Sequence, residues 1–340
     1  MSGKKVIIAI SGGVDSAVAA ALLKKQGFDV FGAHFCFFDG ASAKKSLDKA
    51  KNVAKALGIP LEIVDARKGF RKKIIDYFIE SYKKGITPNP CVACNKEMKF
   101  SLLLDLLKKY KADYIATGHY ARIIRQKLFE AKDKTKDQSY FLYRLNQKEL
   151  AKIIFPLGDL EKSEVRKLAK KFKFPIFGEK ESQDVCFLAS SDINRFLRKN
   201  IKPRHGNIVD ESGKILAKHK GLPFYTIGQR KGIEIGGIGP YFVVGKNSRR
   251  NELIISNDSK KLLVKKLEVN RVNWTDKKIK LPLKAQVQIR YHAEKISAII
   301  NPSKSGRLAV ETKKPLRAVT PGQSAVFYKK DEVLGGGIIV

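Results

Sequence analysis

The 340-residue chain has no apolar run near the ~20 residues that a membrane span requires. Its first residues, Met1-Ser2-Gly3-Lys4-Lys5, lead straight into an apolar strand without the pattern of a secretory leader. A cytoplasmic protein with no membrane partner is therefore expected. Cysteine is scarce: Cys36, Cys91, Cys94 and Cys186 are the whole set. Four thiols in a cytosolic chain do not make a disulfide framework, so catalysis or metal binding is their expected use. Acidic residues are also few, 33 against 68 Lys and Arg, which leaves a net charge of +35. A surplus of that size favours a polyanionic partner, although lysine spread along the whole chain accounts for part of it. There is no internal repeat and no low-complexity segment. What remains is an ordinary globular composition, 43% hydrophobic and 30% charged, long enough for two or three domains.

The most informative stretch is Ser11-Gly12-Gly13-Val14-Asp15-Ser16. An apolar run, Val6 to Ile10, precedes it, and small residues from Ala17 to Leu23 follow, which reads as strand, tight turn and helix. Two glycines let the backbone turn sharply and approach a ligand. The N–H groups of the turn and first helical turn then converge on one point, where the helix dipole favours an anion such as phosphate. The stretch is neither GxxxxGK[ST] nor GxGxxG. A bare connecting turn would need neither Asp15 nor hydroxyls on both sides. All six positions match SGGxDS, so the loop resembles the pyrophosphate loop of the N-type ATP pyrophosphatases.

Taken in order, Val6–Ser11, Asp29–Phe38, Leu61–Ala66 and Asp113–Thr117 read as strands. Helices are expected over Ala17–Gln26, Lys44–Leu57, Ile74–Tyr82 and Leu103–Tyr110, with Gly27, Gly58 and Gly85 as stops. Strands alternating with helices imply a doubly wound parallel sheet, whose ligands bind at the carboxyl ends of the strands. Residues 39–43 are expected as a loop, Arg122 to Phe129 as a hairpin, and Asp137–Phe155 and Glu161–Phe172 as helical. Beyond Asn200 glycines multiply, among them Gly228, Gly232, Gly236, Gly237 and Gly239, and no long amphipathic helix appears. From about Val269 alternation dominates, as in Ala285, Val287, Ile289 and Tyr291, which suggests a small β-barrel. Boundaries fall near 202 and 267, to within several residues, giving domains 1–202, 203–267 and 268–340.

Cys91-Val92-Ala93-Cys94 is expected in a loop behind Pro90 and ahead of a new helix. A helix N-terminus, with Lys96 and Lys99 nearby, would lower both thiols. A tetrahedral zinc site would need a second CxxC or CxxH, and the chain has none. Cys186 lies far off in sequence, and nothing local marks it as reactive. His119 is expected to orient its loop, and Gly335-Gly336-Gly337 to be a close-packed strand of the barrel.

Nine stretches, in order, resemble the bacterial tRNA-uridine 2-sulfurtransferase (tRNA 2-thiouridylase) family over nearly the whole chain. They are SGGVDS at 11–16, TPNPCVACNKEMKF at 87–100, ATGHYAR at 116–122, KDQSYFLY at 136–143 and FPLGDLEKSEVRKLA at 155–169. ESQDVCF at 181–187, YTIGQRKGI at 225–233, IRYHAE at 289–294 and VTPGQSAVFY with LGGGII between 319 and 339 complete the set. The resemblance implies an ATP-pyrophosphatase-type α/β domain, a mostly β central domain that binds tRNA, and a C-terminal β-barrel. It implies adenylation of the wobble uridine by ATP with Mg²⁺, with Asp15 near that ion, and then attack by a persulfide sulfur on Cys186. Cys94 matches the thiol that releases the sulfur by forming a disulfide with Cys186.

By the same resemblance, Ala9, Ile10, Ser11, Gly12, Gly13, Val14, Asp15, Ser16, Phe35 and Gly118 match ATP-contacting positions. Asn89, Pro90 and Cys91 match the segment facing the target base, while Lys136, Asp137, Gln138, Arg290 and Tyr291 match tRNA-contacting segments. Acceptor tRNAs for Lys, Glu and Gln are expected, with a sulfur relay protein or a cysteine desulfurase as donor. Cys91 departs from the family pattern, since many members carry Asp there, and Glu181 stands where Asp is usual. The family gives Cys36 no role. With Cys91 present, a second route is open: Cys91, Cys94 and Cys186 holding a [4Fe–4S] cluster that activates hydrosulfide. Other adenylating enzymes of the superfamily lack this placement of cysteines, and a non-catalytic nucleic-acid binder would not need the intact loop.

Overall fold

The computed structural model describes residues 3–172, 174, 185–188, 192–233, 235, 240–303 and 306–340. In chain order the strands are β1 (Lys5–Ala9), β2 (Asp29–Cys36), β3 (Leu61–Asp65), β4 (Tyr114–Ala116), β5 (Ala121–Ile124), β6 (Lys127–Glu130) and β7 (Ile153–Ile154). β8 (Gly206–Val209), β9 (Ile215–His219), β10 (Phe242–Asn247) and β11 (Glu252–Ser256) follow, then β12 (Leu263–Trp274), β13 (Leu283–Gln288), β14 (Ile296–Pro302), β15 (Leu308–Arg317), β16 (Ser324–Lys329) and β17 (Glu332–Ile339).

The N-terminal sheet is parallel in the order β3-β2-β1-β4-β7. The order reverses between β1 and β4, which opens a crevice at the carboxyl ends of those two strands. Helices cover both faces, so β1 is dry on each: Val6 and Ile8 join one apolar cluster and Ile7 another. That is why its sequence is apolar without alternation. Helix α1 (Val14–Lys25) is small and apolar around most of its circumference because it packs between the sheet and helix Lys162–Lys171.

Two local expectations need correction. Helix α2 (Ala41–Leu57) begins three residues before Lys44, because Gly40 at φ +115 supplies the turn that residues 39–43 were expected to spread over a loop. Cys91-Val92-Ala93-Cys94 is helical: Pro90–Cys94 forms a turn of α-helix that runs through a π-helical turn, Asn95–Phe100, into helix Ser101–Lys109. Pro90 starts that helix at the position where a missing N–H costs nothing. Segment 137–155 holds the expected helical segments, a 3₁₀ turn, Ser139–Phe141, and a short helix, Gln147–Leu150. Beyond them it holds β7, the fifth parallel strand, whose two residues are too few to show a period.

Strands β10-β11-β8-β9 form the central sheet, with β8 and β11 parallel. Its core includes Phe78, Ile79 and Tyr82 from the first domain beside Val243, Leu253 and Ile255, so the two share one apolar cluster. In the last domain β12-β15-β14-β13-β16-β17 closes on itself through the β12–β17 pairing, giving a six-stranded barrel. The β5–β6 hairpin of the first domain adds to its outside at β17. Strand β12 runs across the boundary expected near 267. A Cβ on Gly335, Gly336 or Gly337 would strike backbone oxygens of Asn273, Ala325 or Asn270, so this run packs backbone against backbone. Gly236, Gly237 and Gly239 lie outside the described residues, as do 181–184 of the stretch 181–187.

Candidate active site

The loop between β1 and α1 is wired from within. Ser16 Oγ accepts from Ser11 N at 3.2 Å and donates to Gly13 O at 3.0 Å, and Ser46 Oγ on α2 donates to Ser11 O at 2.7 Å. Gly12 sits at φ +78, where any Cβ would press on the Ser46 carbonyl, so only glycine fits. From below, His34 Nδ1 donates to Ile10 O at 2.8 Å; burial keeps this imidazole below its usual pKa and therefore neutral. Phe35, on the next strand, stacks on Phe37. Gly118, after β4, approaches so closely that a Cβ would lie 2.8 Å from Ser16 N. Ala9, Ile10, Val14 and the loop residues thus share the open edge of the sheet with Gly118.

Asp15 is held by two residues to which sequence reading gave no role. Lys162 Nζ donates to both carboxylate oxygens, at 2.7 and 2.9 Å, and Tyr120 Oη donates at 2.8 Å. Lys162 is buried and lies on the same helix face as Val165 and Ala169. A lysine inside an apolar i, i+3, i+7 stripe was the available signal, since a buried ammonium needs a partner. Among the described residues, no three of His, Cys, Asp or Glu gather closely enough to hold a metal ion. The donor set does not form a dedicated magnesium cage and suits only an ion that arrives on ATP phosphates.

The thiols stand beside this loop. His119 follows Gly118, stacks on Phe100 and shares a 2.7 Å hydrogen bond with Thr117 Oγ1 through Nδ1. Burial first, then the Lys99 charge, hold it well below its ordinary pKa, so it is neutral. The same Lys99 charge acts on Cys91, Cys94 and Cys186, and Cys186 acts on both of the others. One lysine charge is thus felt by Cys91 and Cys94 on its own helical run, by Cys186 from far along the chain, and by His119 next to the Gly118 that abuts Ser16.

The expected lowering of the thiols is overturned. Burial outweighs the helix N-terminus and Lys99, raising Cys91 and pushing Cys94 up to about 12. Lys96 is spent on an ion pair with Glu149 at 2.6 Å. Cys186 lies on the turn Cys186–Leu188 and is exposed, yet crowding on its protein side still raises its thiol. Its neighbour Phe187 is seated among Phe70, Phe78 and Phe196, with ring centroids 5.2–6.0 Å apart. All four cysteines, Cys36 included, are free thiols. Among the described residues, Cys91, Cys94 and Cys186 act on one another electrostatically but are not gathered into a ready ligand set.

Asn89 caps the thiol helix, its Oδ1 accepting from Val92 N at 3.3 Å, and Pro90 is buried. Asp137 is turned inward, accepting from Ala131 N and Ser139 Oγ at 2.8 Å, and burial lifts its carboxyl to about 6. Gln138 accepts from Tyr120 N. Arg290 is exposed, Lys136 half-buried, and Tyr291 packs on Phe141 at 4.6 Å. Among the described residues no helix is long and apolar enough to cross a membrane.

Fold and site together define an α/β protein with a glycine-rich strand-to-helix loop at the switch point of its sheet. Family models agree on the class: residues 4–190 match the tRNA methyl transferase HUP domain, 194–257 the tRNA methyl transferase PRC-barrel domain and 264–339 the aminomethyltransferase β-barrel domain. Curated relatives are more particular. The chain is 41% identical to tRNA-specific 2-thiouridylase MnmA 2 of Clostridium tetani, covering 99% of this chain and 98% of that one. It is also 41% identical to tRNA-specific 2-thiouridylase MnmA of Carboxydothermus hydrogenoformans, over 99% and 97%. The chain belongs to the tRNA-specific 2-thiouridylase family. Among solved structures, the U34-tRNA thiolase NcsA of Methanococcus maripaludis, with its [4Fe–4S] cluster, matches at TM-score 0.38 and 22% identity over 58% of this chain and 67% of that one, a likeness that carries no argument about mechanism.

Proposed function

We propose that this chain 2-thiolates the wobble uridine of tRNA at the expense of ATP. The observation that carries the reading is the juxtaposition of the anion-binding loop with three thiols through Gly118, His119 and Lys99. The loop's N–H groups and the α1 dipole bind the ATP phosphates, with Lys162 adding a cation and orienting Asp15. Mg²⁺ arriving on those phosphates would lower their charge, and Asp15 is the carboxylate of the loop that would lie nearest it. The uridine O2 attacks the α-phosphorus, pyrophosphate leaves, and O2 becomes part of an adenylate. The terminal sulfur of a Cys186 persulfide attacks C2, and AMP departs with that oxygen. Cys94 thiolate then attacks Cys186 Sγ and breaks the S–S bond. The electron pair goes to the sulfur left on the base, giving 2-thiouridine, and a Cys94–Cys186 disulfide forms. A thiol reductant restores both cysteines, and a relay protein or cysteine desulfurase reloads Cys186.

The substrate side rests on charge and reach. A surplus of +35 suits the tRNA backbone, with strong salt dependence of binding. Arg290, Tyr291 and Lys136 are offered as tRNA contacts; Asp137 lines one pocket with Tyr291, and Gln138 holds the backbone of Tyr120. The anticodon base leaves its stack to reach Asn89, Pro90 and Cys91, which a loop permits more readily than a duplex. Acceptors for Lys, Glu and Gln in the cytoplasm are the expected substrates.

Protein purified without oxygen, given unmodified tRNA, ATP, Mg²⁺ and a sulfur donor, should form 2-thiouridine in amounts that do not track bound iron. Thiolation proportional to iron and acid-labile sulfide would move Cys91, Cys94 and Cys186 into ligand roles. AMP formation without 2-thiouridine would point to a different adenylating enzyme.

A further inference from the structure

The stretch VTPGQSAVFY lies in the barrel, remote in sequence from any proposed chemistry, yet part of it grips the approach to the thiol helix. Thr87 N donates to Pro321 O at 3.0 Å. Gly322, at φ +93, lies against the other side, where a Cβ would be 2.8 Å from Thr87 O. Gln323 Nε2 donates to Thr87 O at 3.0 Å and to Pro88 O at 3.2 Å. Tyr140, beside Asn89, donates its hydroxyl to Ser324 O at 2.9 Å. Residues 321–324 are in turn fixed to the barrel, since Gly322 N donates to Ile339 O and Ile339 N to Gln323 O.

The chemistry of Thr87-Pro88-Asn89-Pro90 explains why a glutamine stands there. Two prolines remove two N–H groups, and the helix that would order the segment starts only at Pro90. The Thr87 and Pro88 carbonyls need donors from elsewhere, and an amide nitrogen carrying two hydrogens serves both at once. The next residue, Asn89, is the cap whose position sets the start of the helix bearing Cys91 and Cys94.

We propose that Gln323 is a positioning residue for Cys94: by holding the Thr87 and Pro88 carbonyls it places Asn89, and through that cap it keeps the thiol helix closed. The barrel thereby completes the active site of the domain it packs against. The functional meaning rests on Cys94 as the sulfur-releasing thiol, whereas the positioning itself is read without activity.

The test compares the full-length wild type with Gln323→Met, which keeps length and removes the donors, and Gln323→Lys, which restores a donor. In Gln323→Met, amide hydrogen exchange at Val92 and Ala93 should rise about tenfold, and alkylation of Cys94 should accelerate by a similar factor while Cys36 keeps its rate. Gln323→Lys should return both toward wild type. If Gln323→Met does not fold, Gln323→Asn, one methylene too short to reach both carbonyls, takes its place with the same expected opening. A folded donor-less variant with wild-type exchange and alkylation would overturn the proposal. So would Gln323→Lys behaving like Gln323→Met. Failure of the wild type to thiolate tRNA would count against the proposed function and leave these two readouts intact.

Discussion

Cys94 and Cys186 are the same side chain in opposite settings. Cys94 is on a helix, behind an Asn cap, 7% exposed, with a thiol pushed up to about 12. Cys186 is on a three-residue turn, exposed, and anchored through the ring of Phe187. A donor protein has to reach the thiol it loads, so under the proposed mechanism loading falls to the exposed Cys186. A thiol that cleaves a disulfide bond after the base has reacted is better kept neutral and out of reach until then, which suits Cys94. Under the proposed mechanism burial separates the two roles, and position relative to a helix end does not.

The sharpest way to break that division is to remove each thiol in turn. Cys186→Ser should lower 2-thiouridine formation by at least about a thousandfold and abolish persulfide on the protein. Cys94→Ser should also abolish product, yet load one sulfur on Cys186 at the wild-type rate, read from intact-protein mass. Persulfide on Cys94 in the Cys186→Ser protein would reverse the assignment.

A smaller effect separates the thiols from the loop. Lys162→Met leaves Asp15 without its ammonium partner and should reduce ATP-dependent AMP formation by about a hundredfold. Persulfide loading of Cys186 should not change, because the Lys162 ammonium is committed to the Asp15 carboxylate and the Tyr120 ring. Loss of loading in parallel with AMP formation would show that the two halves of the site are not independent.

How far these features were legible follows their physical range. The alternation of strands with helices, the SGGVDS loop and the glycine stops depend on neighbours a few residues apart, and the chain spells them out. The joining of Cys186 to Cys91 and Cys94 in the candidate site was reached through the family resemblance alone, because nothing in the residues around Cys186 marks it as reactive. Lys162 was missed because its meaning lies in a pairing with Asp15 across 147 residues. The thiols were misjudged for the same reason: helix dipoles and neighbouring lysines are local, whereas the burial that outweighs them comes from an apolar cluster in which Phe70, Ile74 and Phe187 join Cys94 from elsewhere in the chain. Pro90 misled in the other direction. Proline forbids a helix interior but favours a first turn, and only the cap geometry of Asn89 distinguishes the two.

The mildest effect tests whether the two thiols share one field. Lys99 lowers both Cys94 and Cys186, against the larger opposing influence of burial. Removing its charge must therefore raise both thiols further, shrink the thiolate fraction at a given pH and slow alkylation, since the thiolate is the nucleophile. In Lys99→Met, alkylation of Cys186 at pH 8 should slow about threefold and its pH profile should move upward, while Lys99→Arg should keep the wild-type profile. Salt then separates the settings. Screening acts on an exposed pair more than on a buried one, so raising ionic strength in the wild type should slow Cys186 toward the Lys99→Met rate and leave Cys94 nearly unchanged. Equal salt sensitivity would mean that Cys94 feels Lys99 through water, and its burial would no longer distinguish it from Cys186.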